Sequence, residues 1–189
     1  MQWQHTNVKI PVDGAMGVDA ARLIPIFHEW IREESLPELL IDVADYRHVP
    51  DGPGVMLIAL EADYNMDHAD GVWGMRYNRK AALDGSNAGR FRQALAAAAG
   101  ACLLLEKALA GAGGLTFSRS TFDWFINDRA LAPNTPDTWA GCEPELQALI
   151  AEVFGHDGFT LTPQADPRRA FGATITAAKP FDLATLAAL

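Results

Sequence analysis

The chain has 189 residues, of which 49% are hydrophobic and 21% are charged, so it can bury one sizeable core and is too apolar to be disordered. Its net charge of −9 argues against a nucleic-acid partner, which needs a basic footprint, and against an anionic membrane surface. Its two cysteines are too few for a disulfide framework or a cysteine zinc site. We therefore predict one soluble domain over 1–189, without a metal or cofactor.

The N-terminal residues and the apolar runs bear on where the protein resides. No basic stretch followed by an apolar core opens the sequence, so we predict no signal peptide. The longest apolar run, 94–105, is shorter than the roughly 20 residues that span a bilayer. A cytoplasmic location is the resulting expectation.

The first half of the chain predicts a strand, a helix and a meander of three strands. Alternation predicts the strand over 7–12, and an apolar stripe at helical spacing predicts the helix over 18–34. Pro25 predicts a kink or a late start for that helix. The meander spans 39–79, and a Pro/Gly corner and a tight hairpin join its strands. The meander strands are predicted over 39–46, 55–66 and 72–79.

The hairpin of the meander also predicts a register. With His68–Gly71 as a four-residue loop, Tyr64 faces Met75 and Asp63 faces Arg76. This register places apolar residues opposite apolar ones and an acid opposite a base.

The second half predicts three helices and further strands, over 89–110, 115–126, 143–154, 159–162, 172–178 and 181–189. Runs of strands with few alternating helices favour an α+β fold, in which helices cover a mainly antiparallel sheet centred on the 39–79 meander. Helix, strand, corner, glycine and strand recur around Gly54 and Gly172. This weak echo suggests a β-α-β-β pseudo-repeat with two lobes divided near Gly113, and the alternative is a coincidence of common α+β units.

The corner from Asp45 to Gly54 is the most unusual local sequence. Its prolines and glycines fix the backbone, so Asp45, Tyr46, His48 and Asp51 are expected to be held in place. A functional interpretation makes His48 a general acid or base that a carboxylate orients. The alternative is a rigid, solvent-facing turn whose polar side chains bind backbone groups.

Charge segregation along the chain predicts ligand-binding residues. Seven acidic residues lie between 41 and 70, whereas five basic residues and one acid lie between 71 and 92. An anionic ligand bound by the basic segment is one interpretation, and an ion-paired surface is the other. The predicted ligand-binding residues are Tyr46, Asp51, Arg76, Arg79 and Arg119.

The sequence contains none of the common catalytic or nucleotide-binding motifs: no phosphate loop, nucleophile elbow, His-Glu-x-x-His helix or dinucleotide fingerprint. We therefore expect a small-molecule-binding or self-assembling module, with a small molecule or a second copy of the chain as partner. The alternative is a small hydrolase-like enzyme in which His48 works with Asp45 or Asp63 as an acid/base pair. Whether the protein is an enzyme stays open at this stage.

Overall fold

The computed structural model describes residues 1–111 and 113–189, in which eight strands form one antiparallel sheet with four helices. The predicted α+β fold, an antiparallel sheet covered by helices, is confirmed. The sheet order is β2-β3-β4-β5-β1-β6-β8-β7. The elements are β1 (Thr6–Pro11), α1 (Leu23–Glu33), β2 (Leu40–Tyr46), β3 (Gly54–Ala59), β4 (Ala62–Asp67), β5 (Gly74–Arg79), α2 (Asn87–Leu109), β6 (Thr121–Ile126), α3 (Pro136–Phe154), β7 (Phe159–Pro163), β8 (Phe171–Ala177) and α4 (Leu183–Ala187).

The helices pack on one face of the sheet. Helix α2 lies against β1 and β5, α4 packs on α2, and α1 lies against β2 and β3. Alternate strand residues such as Val8, Tyr77 and Trp124 are fully buried on this face. Helix α1 starts late, as predicted, so that Pro25 falls in its first turn, where its missing N–H costs no hydrogen bond.

The 39–79 meander has four strands rather than three. The chain turns at Leu60 and Glu61, so the strand predicted over 55–66 is two strands, β3 and β4. The alternation of residue types continues through this turn without a glycine, proline or asparagine, so no local signal marks it. The meander forms one half of the sheet, because β1 joins its last strand to β6 of the other half.

The predicted hairpin register is wrong by two residues. Six residues, 68–73, separate the closing pair Asp67 and Gly74, instead of the predicted four. An even shift leaves every side chain on its predicted face but changes its partner. Asp63 therefore lies opposite Asn78 and binds Lys80, with 2.7 Å between Oδ1 and Nζ, instead of Arg76.

The two halves place their hairpins at opposite edges of the sheet, β2–β3 at one edge and β7–β8 at the other. A glycine near the start of the inner strand of each hairpin allows a close backbone approach to the next strand of the sheet, β4 for Gly54 and β6 for Gly172. A Cβ atom at Gly54 would overlap the carbonyl oxygen of Met66, and one at Gly172 would overlap that of Trp124. No side chain other than hydrogen fits either position without movement of the neighbouring strand.

The helices of the described residues differ from membrane-spanning ones, and two of them carry a cysteine. None of the helices over 1–111 and 113–189 is long and apolar enough to cross a membrane. Cys102 in α2 and Cys142 in α3 are buried free thiols. Burial raises the pKa of both, that of Cys142 to about 12, so neither is a reactive thiolate at neutral pH.

Candidate ligand-binding site

The face of the sheet opposite α2 carries polar side chains, several of which are buried. Lys9, Asn65 and Asp67 are each less than a tenth exposed. They occupy the strand positions that alternate with the core residues Val8, Tyr64 and Met66, which is why they share the other face. Buried polar side chains need hydrogen-bond partners or a ligand, so this face is a candidate for a ligand-binding site.

A row of polar residues crosses six neighbouring strands on this face. The register places each of its members directly opposite the next, from β4 through β5, β1, β6 and β8 to β7. We call this set the polar row. Its members, in that order, are Asn65, Arg76, Lys9, Asp123, Thr174 and Thr162.

A cavity of about 520 Å³ lies over the polar row. Residues of the β4–β5 loop and of the β7–β8 loop form its sides, and Phe125 and Val72 contribute apolar surface. The two loops meet where the Arg169 guanidinium binds the Asp70 carboxylate through two hydrogen bonds, one of them 2.6 Å between Nη1 and Oδ2. This volume falls within the range of pockets that bind small molecules.

Lys9 holds the β4–β5 loop on the sheet. Its Nζ lies 2.6 Å from Oδ1 of Asp67 and 2.8 Å from the carbonyl oxygen of Val72, with a longer contact to the carbonyl of Ala69. The side chain passes over Gly74, where a Cβ would lie 2.8 Å from Cε of Lys9. Because an ammonium has three donors and all three point at protein oxygens, Lys9 is occupied by the fold.

Arg76 is held much more loosely. Its Nη1 lies 3.4 Å from Oδ2 of Asp67, and its Nε lies 3.3 Å from Oδ1 of Asn7. Its guanidinium carbon lies 4.7 Å from the ring centroid of Phe125. A guanidinium has five N–H groups, so three of those of Arg76 make no hydrogen bond to any residue that the structure describes. Arg76 can therefore bind a group that enters the cavity.

Asp123 is the single carboxylate of the polar row, and it has no counter-ion among the residues that the structure describes. Its Oδ1 accepts a hydrogen bond of 2.6 Å from the hydroxyl of Thr174. No lysine, arginine or histidine in the described ranges comes within ion-pair distance of it, whereas Asp63 binds Lys80 and Asp67 binds Lys9. Burial raises the pKa of Asp123, against the smaller effects of the Thr174 hydrogen bond and the Lys9 charge.

The charged lining of the cavity has the opposite sign from the whole chain. Five basic and three acidic residues line it, a balance of +2, whereas the chain carries −9. A positive concavity in an acidic protein attracts anions. The basic residues are Lys9, Arg76, Arg129, Arg168 and Arg169, and the acidic ones are Asp67, Asp70 and Asp123.

The structure does not bring the three predicted catalytic residues together. His48 is exposed on the β2–β3 corner, where its ring stacks on Tyr46. Arg47 binds both carboxylate oxygens of Asp45 and lowers the pKa of that group to about 2. Asp63 binds Lys80 on the sheet. Over 1–111 and 113–189, no hydrogen bond or ion pair joins His48 to a carboxylate, so the expected acid/base contact is absent there.

Of the predicted ligand-binding residues, Arg76 lines the cavity. Tyr46 and Asp51 are exposed on the corner. Arg79 binds Glu61, with 2.8 Å between Nη2 and Oε2, and Arg119 binds Glu106 through both of its terminal nitrogens. Those two arginines therefore hold elements of the fold together.

Sequence reasoning missed Lys9, and it left Asp123 out of the predicted ligand-binding residues. A signal was present, because each is the single charge of its strand, Thr6–Pro11 or Thr121–Ile126, at a position that alternates with buried apolar residues. Such a charge on a strand in the middle of a sheet needs a partner.

No three His, Cys, Asp or Glu side chains in the described part of the chain are grouped so that they could hold a metal ion.

Comparison with protein-family models and with curated proteins found no match for the sequence. The fold and the cavity define an α+β protein that has helices on one face of an antiparallel sheet and a polar, basic cavity on the other.

Proposed function

We propose that the protein binds a small organic anion in the cavity over the polar row. The observation that carries the proposal is Arg76, whose guanidinium lines the cavity with three N–H groups that the described residues leave free. A carboxylate or phosphate oxygen pair suits this fork, because a guanidinium binds such groups through two parallel hydrogen bonds.

The remainder of the cavity supports an organic rather than an inorganic anion. Phe125, Val72 and Pro163 offer apolar surface beside the charged groups. Small-molecule sites combine mainly apolar walls with a few polar groups that fix orientation. A cavity of about 520 Å³ is also far larger than an inorganic anion requires.

Replacing Arg76 by glutamine is expected to weaken anion binding roughly 10- to 100-fold, because a hydrogen bond to a charged group contributes about 1.5–3 kcal/mol. The measurement is calorimetric titration of the full chain with a panel of small carboxylates and organic phosphates. Arg32→Gln is the matched control, since Arg32 is exposed on α1 and is expected to leave affinity unchanged. Equal affinities of the Arg76 variant and the unaltered chain, or no binding by any member of the panel, would contradict the proposal.

A second candidate function is self-assembly through the edge strand β2, which is supported by exposed aliphatic side chains on this strand, just before it and in the neighbouring β3–β4 turn. Leu39, Ile41 and Leu60 are 67%, 53% and 60% exposed, and β2 has a neighbour on one side of the sheet alone. Unpaired backbone groups beside aliphatic side chains can pair with a strand of another copy.

Ile41→Lys is expected to reduce self-association, because a charge on an edge strand opposes pairing between copies. Sedimentation velocity over a wide range of protein concentrations is the measurement. Leu131→Lys, at an exposed loop position that is 47% accessible, serves as the control. A monomer at every concentration of the unaltered chain would remove this candidate.

A further inference from the structure

We infer that the ligand is a small zwitterion of the amino-acid type, whose carboxylate binds Arg76 and whose protonated amine binds Asp123. This inference rests on the proposed anion-binding function and names the class of ligand for the same cavity. It is argued from Asp123, the one acidic residue lining the cavity that has no cation beside it among the residues that the structure describes.

The three acidic residues of the cavity differ in how they are neutralised. Asp67 binds Lys9 and Asp70 binds Arg169. Asp123 has a neutral partner, Thr174, on Oδ1, and its Oδ2 accepts no hydrogen bond from the residues that the structure describes. A half-buried carboxylate without a cation is costly, so this position favours a ligand that supplies one.

The nearest cation in the register is turned away from Asp123. Lys9 lies directly opposite Asp123, yet its side chain runs over Gly74 to Asp67 on the far side of β5. Gly74 makes this path possible, since a side chain there would meet Cε of Lys9. The fold thus directs the available ammonium to the loop and leaves the Asp123 carboxylate open to the cavity.

The register places the two proposed binding groups near each other on this face of the sheet. The Arg76 guanidinium lies over Phe125, which is two residues from Asp123 on the same face of β6. Two residues of a strand span about 7 Å. The amine and carboxylate of an α-amino acid are about 3 Å apart, and a charged hydrogen bond of about 2.8 Å at each end gives a comparable length.

A simple anion fits this cavity less well than a zwitterion does. An anion that binds Arg76 also meets the negative charge of Asp123, and like charges in a low-dielectric cavity repel each other. Burial already raises the pKa of Asp123, which shows that its ionised form lacks stabilisation there. An ammonium group beside Asp123 offsets the repulsion and supplies the missing counter-charge.

The test titrates the unaltered full chain with the common α-amino acids and then, for each one that binds, with its analogue without the amine and its analogue without the carboxylate. Removing either group is expected to weaken binding at least tenfold. Asp123→Asn is expected to weaken amino-acid binding at least tenfold. It is expected to leave binding of the amine-free analogue unchanged or tighter, because the variant removes the repulsion between the Asp123 carboxylate and the anion. Asp84→Asn, at an exposed loop position, is the matched control.

The possible outcomes separate this inference from the proposed function. If the amine-free analogues, or other simple anions, bind as tightly as the amino acids and Arg76→Gln weakens them, the zwitterion inference is overturned and anion binding stands. If neither amino acids nor simple anions bind, both are overturned. The analogue series uses the unaltered protein, so the result does not depend on whether the Asp123 variant folds.

Discussion

Gly54→Ala is expected to lower the free energy of unfolding by about 2–5 kcal/mol. Gly54 has a φ of +66°, a left-handed conformation that costs other residues about 1–2 kcal/mol. The added methyl group would also overlap the carbonyl oxygen of Met66 on β4 and come within 3.2 Å of the Trp73 ring. Overpacking of this kind costs about 1–3 kcal/mol. Urea denaturation, followed by tryptophan fluorescence and circular dichroism, measures the change.

Gly100→Ala is the control for that prediction. Gly100 lies inside α2, and apart from the backbone of its own helix no atom of the described residues lies within 4 Å of the position a Cβ would take. Alanine is expected to stabilise the helix there by about 0.5–1 kcal/mol, because glycine is the poorer helix former. An unchanged stability of Gly54→Ala would mean that β3 and β4 do not approach as closely as the register requires.

Lys9→Met is expected to lower the free energy of unfolding by about 3–5 kcal/mol, the cost of leaving one partner of a buried ion pair alone. The side chain of Asp67 is 3% exposed, and without Lys9 it keeps the backbone N–H of Ala69 and the longer ion pair with Arg76, with 3.4 Å between Oδ2 and Nη1. The lower end of the range is therefore expected. Methionine has a similar length, so the change removes the charge and little of the packing. Thermal and urea denaturation measure the loss.

A double-mutant cycle with Asp67→Asn tests the cause. The Lys9→Met/Asp67→Asn protein is expected to lose less free energy of unfolding than the two single variants lose together. In the double variant both charges of the pair are removed, so neither is left buried without the other. Lys107→Met, exposed near the end of α2, is expected to stay within about 0.5 kcal/mol of the unaltered chain. A Lys9 variant that keeps its stability but loses ligand affinity would show that Lys9 serves the ligand rather than the loop.

The sequence predicted elements where local signals were strong and missed boundaries where two signals competed. Helix α3 starts at Pro136, seven residues before the predicted 143, because Thr135 caps it and proline is well suited to its first turn. The same signature at Glu143 and Pro144 suggested the later start, and the helix in fact accommodates Pro144 in its interior. The β3–β4 turn was missed because a turn made of leucine and glutamate has no distinctive composition.

The α+β class and the faces of β4 and β5 could be read from the sequence, because alternation along a strand is a local property. The faces of β3 could not, because the missed β3–β4 turn brings Val55 and Leu57, not Met56 and Ile58, to the face of Tyr64 and Met66. The sequence could single out Arg76 as a cation for a ligand, but not the groups around it. The tertiary structure alone decided that β1 separates β5 from β6, which places Lys9 between Arg76 and Asp123 in one row. Backbone hydrogen bonds between strands are the same for any pair of residues, so strand order and register depend on how the whole sheet packs. The cavity and its unpaired carboxylate follow from that packing.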